Sequence, residues 1–235
     1  MTNQTANIMN RMQDNIEVER QILESIDKWV EKEVKPIARE YDQADEYPEQ
    51  LVEQMKELGL FGATISQEYG GLGLSATTYA RVVMRIAQVW MAPTGIFNSH
   101  LIMANCVERH GTDIQKERFL PRFATGELRG GIGLTEPDAG TDLQGIRTTA
   151  TRREKSYVVN GTKTWITNGV QGTCLAILTK TDSTVSPAHK GMSLFLCEKG
   201  DGFTVGKKIQ KLGYRAIDSG ELIFQDFQVP SDNLI

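Results

Sequence analysis

The 235-residue sequence lacks the features that mark secreted, membrane-spanning or nucleic-acid-binding proteins. Its three cysteines are odd in number and widely spaced, which predicts a reducing compartment and no disulfide framework. No run approaches the roughly 18 apolar residues that a membrane span needs, and the first 20 residues have no apolar core that would predict a signal peptide. Because 26 basic residues face 30 acidic ones, the charge gives no reason to expect nucleic acid or an anionic membrane as a partner. The cytoplasmic compartment is therefore the expected location.

Common nucleotide-binding and catalytic motifs are missing as well. There is no Gly-x-x-x-x-Gly-Lys-Ser/Thr segment, hence no P-loop, and no Gly-x-Ser-x-Gly nucleophile elbow. Gly131 and Gly133 begin a dinucleotide-binding pattern, but Glu136 stands at the position of its third glycine. Because Pro137 also prevents a helix from opening there, a Rossmann-type site is not expected.

The three histidines show no metal-ligand spacing with one another or with the cysteines, so no metal site is predicted. His100 and His110 fall in a helical segment, where we expect them on the surface or at a helix cap. Neither of them needs a functional role.

The first half of the chain has the periodicity of helices. Apolar residues recur from Ile16 to Ile37 at helical spacing, and Pro36 is expected to kink or end that helix. Further helices are predicted between Pro48 and Gly59, after a capping Ser75, from about Pro93 to His110, and from the capping box Thr112-x-x-Gln115 through Leu120.

After Gly126 the pattern changes to a period of two, which predicts strands. The segments CLAILTK, MSLFLCEK and ELIFQDFQV are each bounded by turn residues. The dipeptide Asn160-Gly161 lies between two alternating segments and predicts a hairpin with a type I′ turn. Helices followed by strands predict an α+β fold with an all-helical domain at 1–128 and a mainly β domain at 129–235.

The segment GIGLTEPDAGTDL, residues 131–143, ends an apolar run and cannot be a helix. Glu136 and Asp138 could form a carboxylate pair for acid–base chemistry. Since both lie on one tight turn and nothing else converges on them, we expect a local hydrogen-bonding role instead. From the residues alone, the segment is either an ordinary turn or a loop shaped around a ligand.

Together with NGTKTWITNG at 160–169, this segment resembles the paired signature of the acyl-CoA dehydrogenase family. MKELGLFGATISQEYGGLGLS is similar to that family's N-terminal helical domain, and KLGYRAIDSGELIFQDFQVPSDNLI to the end of its middle domain, so the likeness runs from about residue 16 to 235. The resemblance implies a mainly antiparallel, barrel-like β domain after the helices, and FAD as cofactor. It also implies α,β-dehydrogenation of an acyl-CoA thioester, in which a glutamate removes the α proton and the β carbon gives hydride to the flavin.

The first motif is implied to hold the pyrimidine and pyrophosphate parts of the cofactor. Ile132 and Leu134 match positions whose backbone runs beside the flavin ring, and Thr135 matches a hydroxyl donor to the pyrimidine edge. Gly140 and Thr141 match the pyrophosphate side, where close approach of the backbone favours glycine. Thr141 is also implied to contact the CoA part of the substrate.

The second motif is implied to hold the redox-active part of the ring. Trp165 matches an aromatic residue that flanks the flavin, Ile166 belongs to the same contact segment, and the Thr167 hydroxyl matches a hydrogen-bond donor to N5. Such a bond favours the electron density that arrives at N5 during hydride transfer. Without the resemblance, Trp165 and Ile166 would simply be strand residues that pack a sheet.

The family's C-terminal helical domain, which carries the catalytic glutamate, has no counterpart in these 235 residues. No catalytic residue is therefore assigned, and we expect the chain to be part of a longer enzyme; a truncated relative without the full reaction is the alternative. The implied partners are an acyl-CoA, an electron-transfer flavoprotein, and further copies of the chain in a dimer or tetramer at full length.

Two other functions stay open. One is a flavin-dependent binding or interaction protein, and the other is an oxidase or monooxygenase that uses oxygen directly. Thr135, Trp165 and Thr167 favour a dehydrogenase over a binding protein, because a binding protein has no evident need for an N5 donor. Met84 and Arg85, where the family often has two acidic residues, could alter either the acyl pocket or the surface.

Overall fold

A computed structural model describes residues 17–235 of the chain. Helices fill the first part, and strands follow from Gly130 onwards. The helices are α1 (17–29), α2 (Ala38–Ala44), α3 (Glu49–Glu57), α4 (Ala76–Ala87), α5 (Ala92–His110) and α6 (Asp113–Ala124). The predicted succession of helices and strands is confirmed, and so is the α+β class.

The first helix loses its regular form shortly before the predicted proline. After α1 the backbone widens into a π-helical turn, Val30–Val34, and then makes a turn at 35–37 before α2 begins. Pro36 has no N–H to donate and its ring crowds the preceding turn, which accounts for the loss of regular helix here. Ile16, the predicted start of this helix, lies outside the described residues.

The predicted capping box is present at the start of α6. Thr112 Oγ1 accepts the backbone N–H of Gln115 at 3.2 Å, and Gln115 Oε1 accepts that of Thr112 at 2.9 Å. The helix continues to Ala124 instead of ending at Leu120. The helix continues past Pro121 because its buried face is packed on both sides of the proline. The rings of Phe119 and Phe123 stack there at a centroid distance of 5.8 Å.

Replacing Thr112 with alanine is expected to lower the free energy of unfolding by about 1 kcal/mol, since it leaves a first-turn N–H without its acceptor. Urea unfolding of the two proteins measures the loss. Thr112→Ser keeps the hydroxyl and serves as the matched control. If the serine variant loses as much stability as the alanine variant, the hydroxyl bond is not what holds this end of the helix.

The second part of the chain is one seven-stranded sheet. Its strands are β1 (Gly130–Gly133), β2 (Thr149–Arg152), β3 (Ser156–Thr167), β4 (Cys174–Lys180), β5 (Met192–Glu198), β6 (Phe203–Lys208) and β7 (Ser219–Pro230). Their order is β1-β4-β2-β3-β7-β6, with β5 also paired to β4. The pairs β1/β4 and β2/β4 are parallel and the other four are antiparallel, so the sheet is mixed but mainly antiparallel, as expected.

The predicted hairpin at Asn160-Gly161 is wrong. Both residues lie inside β3, which runs unbroken for 12 residues. The register against β7 shifts between Val159 and Gly161, and Gly161 has φ +146°. A Cβ there would stand 2.6 Å from Cα of Thr148. The glycine therefore lies in a β-bulge, where the neighbouring Thr148 leaves no room for a side chain. The actual hairpin joins β2 to β3 at 153–155.

The expected surface position of His100 is also wrong, whereas His110 is exposed as predicted. His100 is 0% exposed, with its ring edge-on to Phe61 and Phe123. Its Nε2 donates to the carbonyl of Phe123 at 3.0 Å. Burial lowers the pKa of His100 from 6.5 to about 4. The imidazole is therefore a neutral core residue at physiological pH.

None of the helices within 17–235 is both long and apolar enough to cross a membrane.

Candidate cofactor site

The two segments singled out in the sequence lie side by side. The backbone N–H of Thr164 on β3 donates to the carbonyl of Thr135 at 2.9 Å. One residue earlier on each segment, Lys163 Nζ donates to the carbonyl of Leu134, also at 2.9 Å. The loop after β1 is thus fixed on the edge of β3 by a main-chain bond and a side-chain bond.

A groove of about 550 Å³ opens between these segments. Thr135, Gly140 and Trp165 border it, together with residues of β6 and β7 such as Lys207 and Glu221. Apart from Gly140 and its two chain neighbours, no atom of residues 17–235 lies within 4 Å of the place where a Cβ on Gly140 would stand. Trp165 is 57% exposed and has φ +61°, which is unusual for a residue with a side chain. The groove therefore offers a hydroxyl, an open stretch of backbone and an uncovered indole ring.

The remaining predicted site residues differ in their exposure to solvent. Ile132, Leu134 and Thr167 are half-buried, and Thr141 is exposed. Ile166 is 2% exposed in the core of the sheet, so only its backbone can reach a ligand.

The far end of the site lies against α5. A Cβ added to Gly131 would stand 2.6 Å from the Ser99 hydroxyl of α5 and 2.8 Å from the carbonyl of Thr167. Helix α5, β1 and the end of β3 therefore meet beside Thr167.

Glu136 has a larger role than the local one expected of it. Its carboxylate accepts the backbone N–H groups of Arg147 and Thr148 at 2.6 and 3.0 Å, and it forms an ion pair with Lys163 at 2.8 Å. Burial alone would raise the pKa of Glu136, but the hydrogen bonds from Lys163, Thr148 and Arg147 hold it below its usual range. Burial lowers the pKa of Lys163. A carboxylate bound in this way is not free to take up a proton.

Asp138 does not complete a catalytic carboxylate pair with Glu136. It points to the solvent and pairs with Arg147 at 3.1 Å, with both side chains more than two-thirds exposed. A general acid–base role for the two carboxylates therefore finds no support in their geometry.

Two further polar side chains anchor the turn after Thr167. Asn168 donates to the carbonyls of Ile96 on α5 and Gly130 on β1, at 2.8 and 2.7 Å. The carboxylate of Asp218 accepts the backbone N–H groups of Val170 and Gln171, each at 3.0 Å.

Sequence reasoning missed Lys163, Asn168 and Asp218 as supports of the site. The one available signal was a lysine inside the alternating pattern of β3 and an asparagine directly after that strand. That signal does not identify their partners.

Met84 and Arg85 lie on the surface of the described chain. Met84 is 60% exposed, and Arg85 pairs with Asp27 of α1 at 2.6 Å. Whether the two residues alter the acyl pocket or only the surface stays open. No group of three or more His, Cys, Asp or Glu within 17–235 could hold a metal ion.

Comparison with known families decides the relationship. A family model described as acyl-CoA dehydrogenase, N-terminal domain, matches residues 17–127, and one described as acyl-CoA dehydrogenase, middle domain, matches residues 131–227. The chain belongs to the acyl-CoA dehydrogenase family.

Individual relatives agree with this assignment. The short-chain specific acyl-CoA dehydrogenase of Clostridium acetobutylicum is 39% identical over 95% of this chain and 59% of its own length. The structure of acyl-CoA dehydrogenase from Geobacillus kaustophilus has a TM-score of 0.88 at 35% identity, covering 93% of this chain and 58% of that one. A glutaryl-CoA dehydrogenase from Mycobacterium smegmatis, in complex with FADH2, has a TM-score of 0.79 at 29% identity, covering 92% and 54%. The chain thus spans less than two thirds of the relatives that it matches.

Proposed function

We propose that this acyl-CoA dehydrogenase family member binds FAD and, as part of its whole protein, dehydrogenates an acyl-CoA thioester between the α and β carbons. The observation that carries the proposal is the hydrogen-bonded contact between the loop of Thr135 and the strand of Thr164 and Trp165. The family relationship supports the cofactor, as does the FADH2 bound in the glutaryl-CoA dehydrogenase neighbour.

The residues of the groove fit a flavin nucleotide. A flat ring with hydrogen-bonding edges suits an exposed indole beside threonine hydroxyls, and a pyrophosphate suits backbone N–H groups that no side chain covers. In the groove, Trp165 supplies the indole, Thr135 a hydroxyl, and Gly140 the backbone that no side chain covers. The exposed carboxylate at this edge, Asp138, has Arg147 as its counter-ion.

Each of these residues has a defined task toward the cofactor. Thr135 would bind the pyrimidine edge, with the Ile132 and Leu134 backbone beside the ring. Gly140 and Thr141 would hold the pyrophosphate, and Thr141 would also contact the CoA. Trp165 and the backbone of Ile166 would flank the ring, with the Thr167 hydroxyl donating to its N5 edge. When bound, FAD supplies the acceptor for the hydride from the β carbon of the substrate.

The proton from the α carbon needs a base, and neither carboxylate of the cofactor loop is available for that role. Glu136 is held by Lys163 and two backbone N–H groups, and Asp138 faces Arg147. We therefore assign the base to residues outside 17–235, in keeping with a glutamate of the family's C-terminal domain. An electron-transfer flavoprotein as acceptor, a dimeric or tetrameric assembly and a cytoplasmic location belong to the same proposal.

The test is the visible spectrum of the natural full-length protein with FAD, followed without oxygen as short, medium and branched acyl-CoAs are added. We expect the flavin band to bleach with one of these classes, which then identifies the substrate. Air is admitted afterwards as the control for oxygen chemistry. A bleached flavin that regains its colour at once in air would favour an oxidase, and a bound flavin that no acyl-CoA bleaches would contradict the dehydrogenase function.

A further inference from the structure

A buried ion pair lies directly behind the groove. The Lys163 side chain is 0% exposed and that of Glu136 5%, with Nζ and Oε1 2.8 Å apart. Charges in a protein interior persist only when they are paired and hydrogen-bonded. The proposed reaction uses neither residue, so their burial at this place needs another explanation.

Lys163 fixes the orientation of one peptide group in the loop. Its ammonium holds the carbonyl of Leu134, and the peptide is trans, so the N–H of Thr135 points away from Lys163. The next carbonyl, that of Thr135, is held by the N–H of Thr164. Two consecutive carbonyls are thus bound to β3, at the residues assigned to the pyrimidine edge of the flavin.

Glu136 fixes the other end of the same loop. Its backbone exchanges two hydrogen bonds with Ala139, at 2.8 and 3.2 Å, which closes the turn that leads into Gly140. Its carboxylate holds the N–H groups of Arg147 and Thr148, where the chain returns toward β2. One ion pair therefore joins the pyrimidine side, the pyrophosphate side and the return of the loop.

We propose that Lys163 and Glu136 are positioning residues that shape the flavin-binding loop and set the reduction potential of the bound flavin through their balanced charges. This inference rests on the proposed function. Glu136 borders the groove, and Lys163 lies behind it. Both shape the loop through the backbone between Leu134 and Thr148, and both act on the flavin through their charges.

Removing either charge should shift the reduction potential of the flavin, and the direction of the shift differs between the two residues. Reduction adds negative charge to the flavin, and charges interact strongly where little water screens them. Without the Lys163 cation, the Glu136 carboxylate remains and opposes reduction. Without the carboxylate, the Lys163 cation remains and favours reduction. If the pair had a purely structural role, replacing Lys163 or Glu136 would not shift the potential in opposite directions. Damage to the loop would then weaken flavin binding in both cases alike.

The experiment compares Lys163→Met, Glu136→Gln and the double variant in the natural full-length protein with FAD. Midpoint potentials are measured by equilibration with a reference dye, and flavin dissociation constants by fluorescence quenching. We expect the potential to fall in Lys163→Met and to rise in Glu136→Gln. Each shift should correspond to about a tenfold change in the ratio of reduced to oxidised flavin affinity, about 30 mV for a two-electron couple. The double variant should lie between the two.

Arg147→Gln is the matched control. It breaks an ion pair in the same loop that is more than two-thirds exposed, and it leaves the backbone N–H that Glu136 accepts. Because water screens such pairs, its potential should equal that of the unchanged protein.

The outcomes separate the two proposals. If the unchanged protein holds no flavin, the proposed function fails and this inference fails with it. If it holds flavin, and the potentials of the two single variants coincide or move in the same direction, only this inference is overturned. Should Lys163→Met not fold, Glu136→Gln decides alone, because the amide keeps the shape and the acceptor oxygen of the carboxylate. An unchanged or lowered potential in Glu136→Gln is then sufficient to reject the inference.

Discussion

Alanine in place of Gly130 should unfold β1 from the sheet and lower the free energy of unfolding by more than about 4 kcal/mol. Gly130 pairs in parallel with Cys174 of β4. A Cβ at residue 130 would stand 1.5 Å from the Cys174 carbonyl oxygen and 2.7 Å from its carbonyl carbon. These are backbone atoms of a central strand, so no side-chain rotation relieves the overlap. The carbonyl of Gly130 also accepts a hydrogen bond from Asn168, which the same displacement would break.

Denaturant unfolding followed by circular dichroism measures this loss. Gly145→Ala is the matched control, because its Cβ would meet its nearest neighbour, the Ala139 methyl, at an ordinary 3.6 Å. We expect that variant to stay within about 0.5 kcal/mol of the unchanged protein. If Gly130→Ala is equally stable, β1 does not approach β4 as closely as described, and the support of the cofactor loop must lie elsewhere.

Acid should destabilise the protein through His100 as the pH falls below about 6.5. The folded pKa of about 4 lies below the ordinary 6.5, so the unfolded chain binds more protons between these values. The neutral core histidine therefore contributes full stability above about pH 6.5, and this stability is lost progressively as the pH falls toward 4. The loss amounts to about 2 kcal/mol between pH 7.5 and pH 5. The contribution of Glu136, whose pKa is also lowered, is lost only below the ordinary carboxyl pKa of about 4.3.

Urea unfolding at several pH values between about 7.5 and 5 tests this window, in which histidine is the titrating side chain. His100→Gln should remove most of the slope, whatever its effect on absolute stability. His110→Gln replaces an exposed histidine of the same helix and should keep the slope. An unchanged slope in His100→Gln would assign the acid sensitivity to other groups.

Features set by neighbouring residues in the chain could be predicted from the sequence. Ser75 and Thr112 cap helices because their hydroxyls reach N–H groups three residues away. Pro36 ends a helix through its own ring and missing N–H. The two segments that we assign to the cofactor were recognisable for a related reason, since each motif is a continuous stretch whose residue types resemble a known signature.

Features set by distant residues could not be predicted. Asn160-Gly161 carries the local signal of a hairpin, but pairing of β3 with β7 turns it into a bulge. His100 is buried because most faces of α5 are covered by neighbouring elements. The helical periodicity of one segment does not show how many of its faces are covered. Lys163 and Glu136 are 27 positions apart, and a single sequence contains no signal that pairs them.

The left-handed backbone conformation of Trp165 destabilises the folded state. A left-handed conformation is unfavourable by about 1–2 kcal/mol for a residue with a side chain. With more than half of its surface in water, the indole regains little of this by burial. It stands where β3 shifts register against β7 between Lys163 and Ile166, so the irregular strand presents the ring outward. A glycine would suit this backbone conformation better. The Trp165 side chain therefore contributes little to the stability of the fold and leaves its ring open to contact a ligand in the groove.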